Sequence, residues 1–355
     1  MMKNNILESI NSILSNTEKE TKIKVDEIAN LIQGYKSNQA DEEDNYFSLN
    51  ELMSNSLSEL KEQSISKDRI DIGFDNLKHL IHGFDLGEFI VLGGRPSMGK
   101  TTLLLNLALT ISKSRPTLFF TYDLSKKNIS SRILSNLSKI ELDKIQYKSL
   151  SKEEIEKVEK LEKELTNYNL FINESRSNSL FDFKVVCEKL IKNHKIEVVF
   201  IDFIQLMTNN EKSSRREQEI SHISRELKNL AKINNICIVA SSQLSRAVES
   251  RGGDKKPILS DLRESGAIEQ DADKVLLIYR PEYYNFTLDE NGFSTKNRME
   301  VIIAKNRMGA IGSIDLKYDF NTASLTDYHY TEDSDAQQSF LFSKDRLNEI
   351  NNKPF

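Results

Sequence analysis

With 355 residues, 38% hydrophobic and 29% charged, the chain has the ordinary balance of a soluble globular protein and enough length for one large domain or two modest ones. A formal net charge of −5 excludes a uniformly basic coat; residues 1–66 hold twelve acidic and six basic side chains, so the remainder is near neutral and has room for a local basic stripe. No apolar run is long enough to span a membrane and residues 1–20 do not read as a signal peptide, which implies a cytoplasmic protein.

In chain order, residues 4–36 repeat apolar positions (Ile6, Ile10, Ile13, then Val25, Ile28, Leu31) at helical spacing, predicting two short helices. The acidic segment 38–45 reads as a linker. Ser48-Leu49-Asn50-Glu51 then has the form of a capping box, and Leu52, Met53, Leu57 and Leu60 follow on one face, predicting a helix over 48–62. Its stripe packs on its own domain or docks on a neighbouring subunit; both readings stand. Residues 1–66 are therefore expected to form a short helical N-terminal region, and 331–355 a polar, mobile tail.

From residue 67 the pattern alternates. Strands are expected at 89–94, 117–122, 198–203, 237–243, 274–280, 299–305 and 313–319, and helices at 100–112, 126–139, 151–166, 181–193 and 217–232. Short apolar strands alternating with helices predict an α/β domain over 67–330, its mostly parallel central sheet flanked by helices. The last three strands, joined by short turn-rich links, predict an antiparallel extension at one edge. Cys187 and Cys237 lie in apolar periodic segments and read as core thiols; five scattered histidines suggest no zinc site.

Gly94-Arg95-Pro96-Ser97-Met98-Gly99-Lys100-Thr101 matches G-x4-G-K-[ST] between an expected strand and an expected helix, the context a phosphate loop needs. Residues 94–101 with Thr102 and Asp202 are thus the expected nucleotide-binding set, with ATP and Mg2+ as ligands. Glycines let backbone N–H groups curl around phosphate oxygens at a helix N-terminus. Lys100 would reach the β- and γ-phosphates, and Thr101 and Asp202, the acidic end of VVFID, would hold the metal ion. Gln243, at the end of CIVASSQ, would sense the γ-phosphate or orient water, unless it is a surface cap. Asp123, at the end of TLFFTY, is either a catalytic carboxylate or the polar end of a buried strand. Sites in parallel sheets lie at the carboxyl ends of strands, so Gly94, Asp123, Asp202 and Gln243 should converge.

Five motifs in order carry a resemblance: GRPSMGKT (94–101), DFIQLM (202–207), SQLSR (242–246), SDLRESGAIEQDAD (260–273) and AKNRMGAIG (304–312). Over about 67–325 the chain resembles replicative DNA helicases of the DnaB type. The resemblance implies a RecA-like motor domain, a homo-oligomer assembled as a hexameric ring around single-stranded DNA, ATP between subunits, and 5′ to 3′ translocation. It makes Arg307 the arginine finger offered in trans and Lys305 its companion. It places Arg246, Arg251, Glu264 and Gly266 on the channel lining, with a second basic loop (211–217) that includes Arg215 and Arg216.

Two departures accompany the match. About 66 residues precede the motor, too few for the family's collar, so primase or loader binding is not inherited. The family has glutamate where this chain has Asp123; aspartate keeps the charge but is shorter by one methylene, ~1.5 Å, and misplacement by about 1 Å costs on the order of 10²-fold in rate. Two alternatives follow: a catalytically weak ATP- and DNA-binding switch or scaffold, and a RadA-like recombination ATPase.

Overall fold

A computed structural model describes residues 69–209 and 216–329, with side chains at all but 263–266, and a scatter of positions between 10 and 58. The chain divides into two compact units, Met1–Ser66 and Lys67–Phe355. In the first, the described apolar positions Ile10, Ile13, Val25, Ile28, Leu49, Met53 and Leu57 are helical. The linker 38–45 and the tail 331–355 lie outside the described residues.

In the second unit the strands are β1 (Arg69–Ile70), β2 (Phe84–Asp85), β3 (Phe89–Gly94), β4 (Thr117–Thr121), β5 (Leu170–Glu174), β6 (Val198–Asp202), β7 (Cys237–Gln243), β8 (Lys274–Tyr279), β9 (Arg298–Asn306), β10 (Gly312–Asp319) and β11 (Ser324–Asp327). The first two form a small antiparallel pair, and the other nine one sheet in the order β11-β10-β9-β8-β3-β7-β6-β4-β5. From β8 to β5 neighbours are parallel, while β8–β9, β9–β10 and β10–β11 are antiparallel.

Strands β3, β4, β6 and β8 are buried along their whole length, because helices cover both faces. The period of two sorts their side chains between two cores. Ile90, Leu92, Phe119, Phe200, Val239 and Leu276 pack with Leu103, Leu104 and Leu107 of the helix Lys100–Ile111. Phe89, Val91, Phe120, Ile201, Ile238 and Leu277 face Phe183 and Cys187 of the helix Leu180–His194 and Ile223 and Leu227 of the helix Arg216–Ile233. Both cysteines are buried free thiols.

The expected strands and helices over 67–330 are present, with ends shifted by a residue or so. Four strands are additional, of which β1 and β2 have two residues each. β5 pairs only with β4 and leaves Ile172 39% exposed, so its apolar signal is diluted; β11 has four residues. One expectation is corrected: β8 and β9 are joined not by a short link but by residues 280–297, which contain a 3-10 turn at Pro281–Tyr284 and a Leu288–Ser294 bridge.

Candidate active site

Register fixes what meets at the carboxyl edge of the parallel strands. Gly94 pairs with Gln243 across β3–β7, and Thr121 pairs with Asp202 across β4–β6. The chain leaves β4 at Thr121, whose hydroxyl caps a turn through Leu124 and places Asp123 two residues beyond the sheet. A cavity of ≈ 400 Å³ opens there, lined among others by Lys100, Thr101, Asp123, Asp202 and Gln243.

The loop between β3 and the helix Lys100–Ile111 folds as its sequence demands. Gly99 has φ +96°, and a Cβ there would sit 2.6 Å from Met299 Cε, so only glycine fits without strain. Lys100 Nζ folds back onto the carbonyls of Gly94 (2.9 Å) and Arg95 (3.0 Å). Burial pulls its pKa down to about 8, opposed by the negative charges of Asp202 and Asp123. An anion over the loop therefore meets a desolvated ammonium and a helix N-terminus.

Below the lysine, the Thr101 hydroxyl donates to Asp202 Oδ2 at 2.6 Å, and the Ser241 hydroxyl to Asp202 Oδ1 at 2.6 Å. Asp202 is 2% exposed, and burial raises its pKa despite both hydroxyls. A buried carboxylate beside an exposable hydroxyl suits a hard divalent cation. No cluster of three or more His, Cys, Asp or Glu side chains placed to hold a metal occurs among the described residues.

The remaining site residues separate into groups. Pro96, Ser97, Gly99 and Thr102 line the cavity, although the Thr102 hydroxyl is engaged with Tyr318 at 3.1 Å. The side chains of Arg95 and Met98 do not reach it. Arg95 is 6% exposed, paired with Glu249 at 2.9 Å and bonded to the Leu244 carbonyl, and Met98 is in the core. Gln243 is held by Gln205, which accepts from the Gln243 N–H (3.1 Å) and donates to its carbonyl (3.2 Å) and to Ser242 Oγ (2.8 Å).

Lys305 and Arg307 stand at the opposite edge. Lys305 pairs with Val275 on β8, which pairs with Val91 near the start of β3, and the Arg307 N–H bonds to the Asp273 carbonyl, level with Phe89. Along β3 the level of Arg307 is roughly 16 Å and that of Lys305 roughly 10 Å from Gly94, so both cations lie away from the cavity. Lys305 lies within β9 and Arg307 in the turn that follows it. Lys305 Nζ donates to the carbonyls of Glu269 (2.5 Å) and Ala272 (2.7 Å), and Arg307 to the Gln270 carbonyl, because the helix Gly266–Asp271 ends there with unpaired carbonyls.

Of the expected DNA-facing residues, Arg246 is exposed, while Arg251 is tied to Asp261 (2.5 Å) and the Lys256 carbonyl. Arg216 pairs with Glu219 and the carbonyls of Gln205 and Met207. Glu264 lies in the 3-10 segment Leu259–Ser265 and Gly266 opens the following helix; Arg215 lies outside the described residues.

Sequence reasoning missed three contributors. Arg132 and Tyr318 line the cavity, from the helix Lys126–Ser138 and from β10. Arg280, 8% exposed, donates to the Ser97 carbonyl at 2.9 Å and lies 4.1 Å over the Phe320 ring, bracing the loop from behind. None sits in a pattern that announces such a role; Gln205 was visible only as part of a matched string.

A family model described as DnaB-like helicase C terminal domain matches residues 69–327. The chain is 42% identical over 289 residues to a probable replicative DNA helicase of Trieres chinensis (79% of this chain, 63% of that protein). It is 37% identical over 274 residues to the replicative DNA helicase DnaB of Rickettsia typhi (70% of this chain, 55% of that protein). Among solved structures, a DnaB-like replicative helicase, described together with its interactions with primase, matches with TM-score 0.73 at 27% identity, covering 92% of this chain and 76% of that one. The chain thus spans somewhat more than half the length of these curated relatives.

Proposed function

The chain belongs to the DnaB-like helicase C-terminal domain family, and from that premise we propose that it is the motor of an ATP-dependent, DnaB-type replicative DNA helicase, translocating 5′ to 3′ on single-stranded DNA and unwinding duplex. One observation carries the reading: Lys100, Thr101, Asp123, Asp202 and Gln243 line one cavity while Lys305 and Arg307 lie at the far edge of the same sheet. Such a division is productive only when copies assemble with one copy's cations facing the next copy's cavity, as in a hexameric ring.

In this reading Lys100 leaves the loop carbonyls to bind the β- and γ-phosphates. Thr101 and Asp202 would hold Mg2+, whose chemistry there would be to neutralise charge on the transferred phosphoryl group. Asp123 orients the attacking water, and Gln243, fixed by Gln205, registers the γ-phosphate. Arg307 of the neighbouring copy supplies positive charge to the transition state, an effect worth ~10³–10⁵ in rate. Arg246, Arg251, Arg215, Arg216, Glu264 and the backbone at Gly266 face the DNA, where phosphate contacts dominate and salt weakens binding. Residues 1–66 serve another partner or oligomerisation alone, and the protein works in the cytoplasm.

The test is fork unwinding and single-stranded-DNA-stimulated ATP turnover beside a Lys100→Ala control. Wild type should show both; turnover at the control's level would sink the helicase reading. Asp123, exposed and one methylene short, favours one rival, a weakly hydrolysing ATP- and DNA-binding switch. That rival binds nucleotide and DNA but gives no unwinding.

A further inference from the structure

Asp273 stands between the end of the helix Gly266–Asp271 and the start of β8, 8% exposed, and its carboxylate serves two directions. Oδ2 accepts from the Phe89 N–H at 2.8 Å and from Lys228 Nζ at 2.6 Å. The Asp273 N–H returns a bond to the Phe89 carbonyl at 2.8 Å, and Lys228 also bonds the Gly87 carbonyl at 3.0 Å. The residue is thereby fixed to the first residue of β3, the strand that ends in the phosphate loop. In the other direction, Oδ1 faces Arg307 Nη1 at 3.4 Å and the Asp273 carbonyl accepts the Arg307 N–H at 3.0 Å.

We propose that Asp273 is a positioning residue for Arg307, tying the cation that one copy offers its neighbour to the strand that carries its own phosphate loop. The two sides differ in strength as this role requires. The contacts to Phe89 and Lys228 are short and charge-assisted, the first buried and the second with the Lys228 side chain 24% exposed, whereas the Arg307 contact is long and its side chain 46% exposed. The Arg307 backbone stays on Asp273 while its guanidinium, which also donates to the Gln270 carbonyl, gives up that contact to turn toward a neighbour. The carboxylate thus spans β3, whose far end at Gly94 accepts from Lys100, and the trans-acting cation.

This proposal rests on the reading of Arg307 as acting on a neighbouring copy, and the test separates the two. Co-assembled Lys100→Ala and Arg307→Ala chains leave one kind of productive contact: phosphate loop from the second chain, cation from the first. Asp273→Asn is then added to either chain, and single-stranded-DNA-stimulated ATP turnover is measured. On the Lys100→Ala chain, which donates the cation, it should lower kcat roughly tenfold with KM for ATP unchanged. On the Arg307→Ala chain it should change little. Both assemblies contain the same substitution, so a folding defect affects both alike. Equal loss in the two arms, or loss only in the second, would overturn the role. If the parent mixture recovers no turnover, the reading of Arg307 fails instead.

Discussion

The Thr101 hydroxyl donates to Asp202 Oδ2 at 2.6 Å, joining the start of the helix after the phosphate loop to the end of β6. Burial raises the Asp202 pKa, so its ionised form opposes folding. By linkage, a carboxylate with a raised folded pKa destabilises above that pKa, and the cost disappears as pH falls below its unfolded value.

Asp202→Asn should therefore melt at or above the wild-type temperature at pH 7 without nucleotide. It should also lose ~10²-fold or more in ATP turnover as metal stabilisation of several kcal/mol is removed. Scanning fluorimetry and a steady-state ATPase assay check both halves. A lower melting temperature would mean that Asp202 is chiefly structural.

Lys100 gives a pH signature. With its pKa pulled down to about 8 by burial, it loses its proton as pH rises through 8, well before a solvated lysine. Nucleotide affinity should weaken above pH 8, and binding near pH 8 should take up protons. Calorimetry in buffers of different ionisation enthalpy reads the uptake directly; binding without proton uptake would place Lys100 away from the phosphates.

Asp123 reaches into the cavity from a turn rather than from a strand, so its backbone is not fixed by the ladder. Asp123→Ala should abolish turnover while leaving nucleotide binding intact, and Asp123→Glu should be at least as fast as wild type. Full ATPase in the alanine variant would remove Asp123 from the chemistry.

Arg280 braces the loop through Ser97 and Phe320. Phe320→Ala should weaken nucleotide binding by about 1–2 kcal/mol, the scale of a partly buried cation–π contact. That corresponds to roughly 5- to 30-fold in Kd, with kcat per bound nucleotide little changed. Fluorescent-nucleotide titration measures it.

The parallel core was legible because full burial makes β3, β4, β6 and β8 continuous apolar runs, and the phosphate loop because its chemistry restricts residue types at fixed spacing. β5 was not, since an edge strand alternates weakly, and the helix Asp75–Ile81 was too short for its period to register. Within the site, residues that bind through side chains stood out. Arg280, Arg132 and Tyr318 did not, because long-range packing alone brings them to the cavity. The resting contacts of Lys305 and Arg307 were equally hidden, for they depend on where the helix Gly266–Asp271 ends.

In the proposed ring, hydrolysis needs the cavity of one copy and the cations of another. The most direct test is ATP turnover, stimulated by single-stranded DNA, of Lys100→Ala and Arg307→Ala chains made separately and co-assembled. Each variant alone should be inactive and the mixed assembly should regain turnover. A mixture no better than either variant, or an Arg307→Ala chain as fast as wild type, would contradict the account.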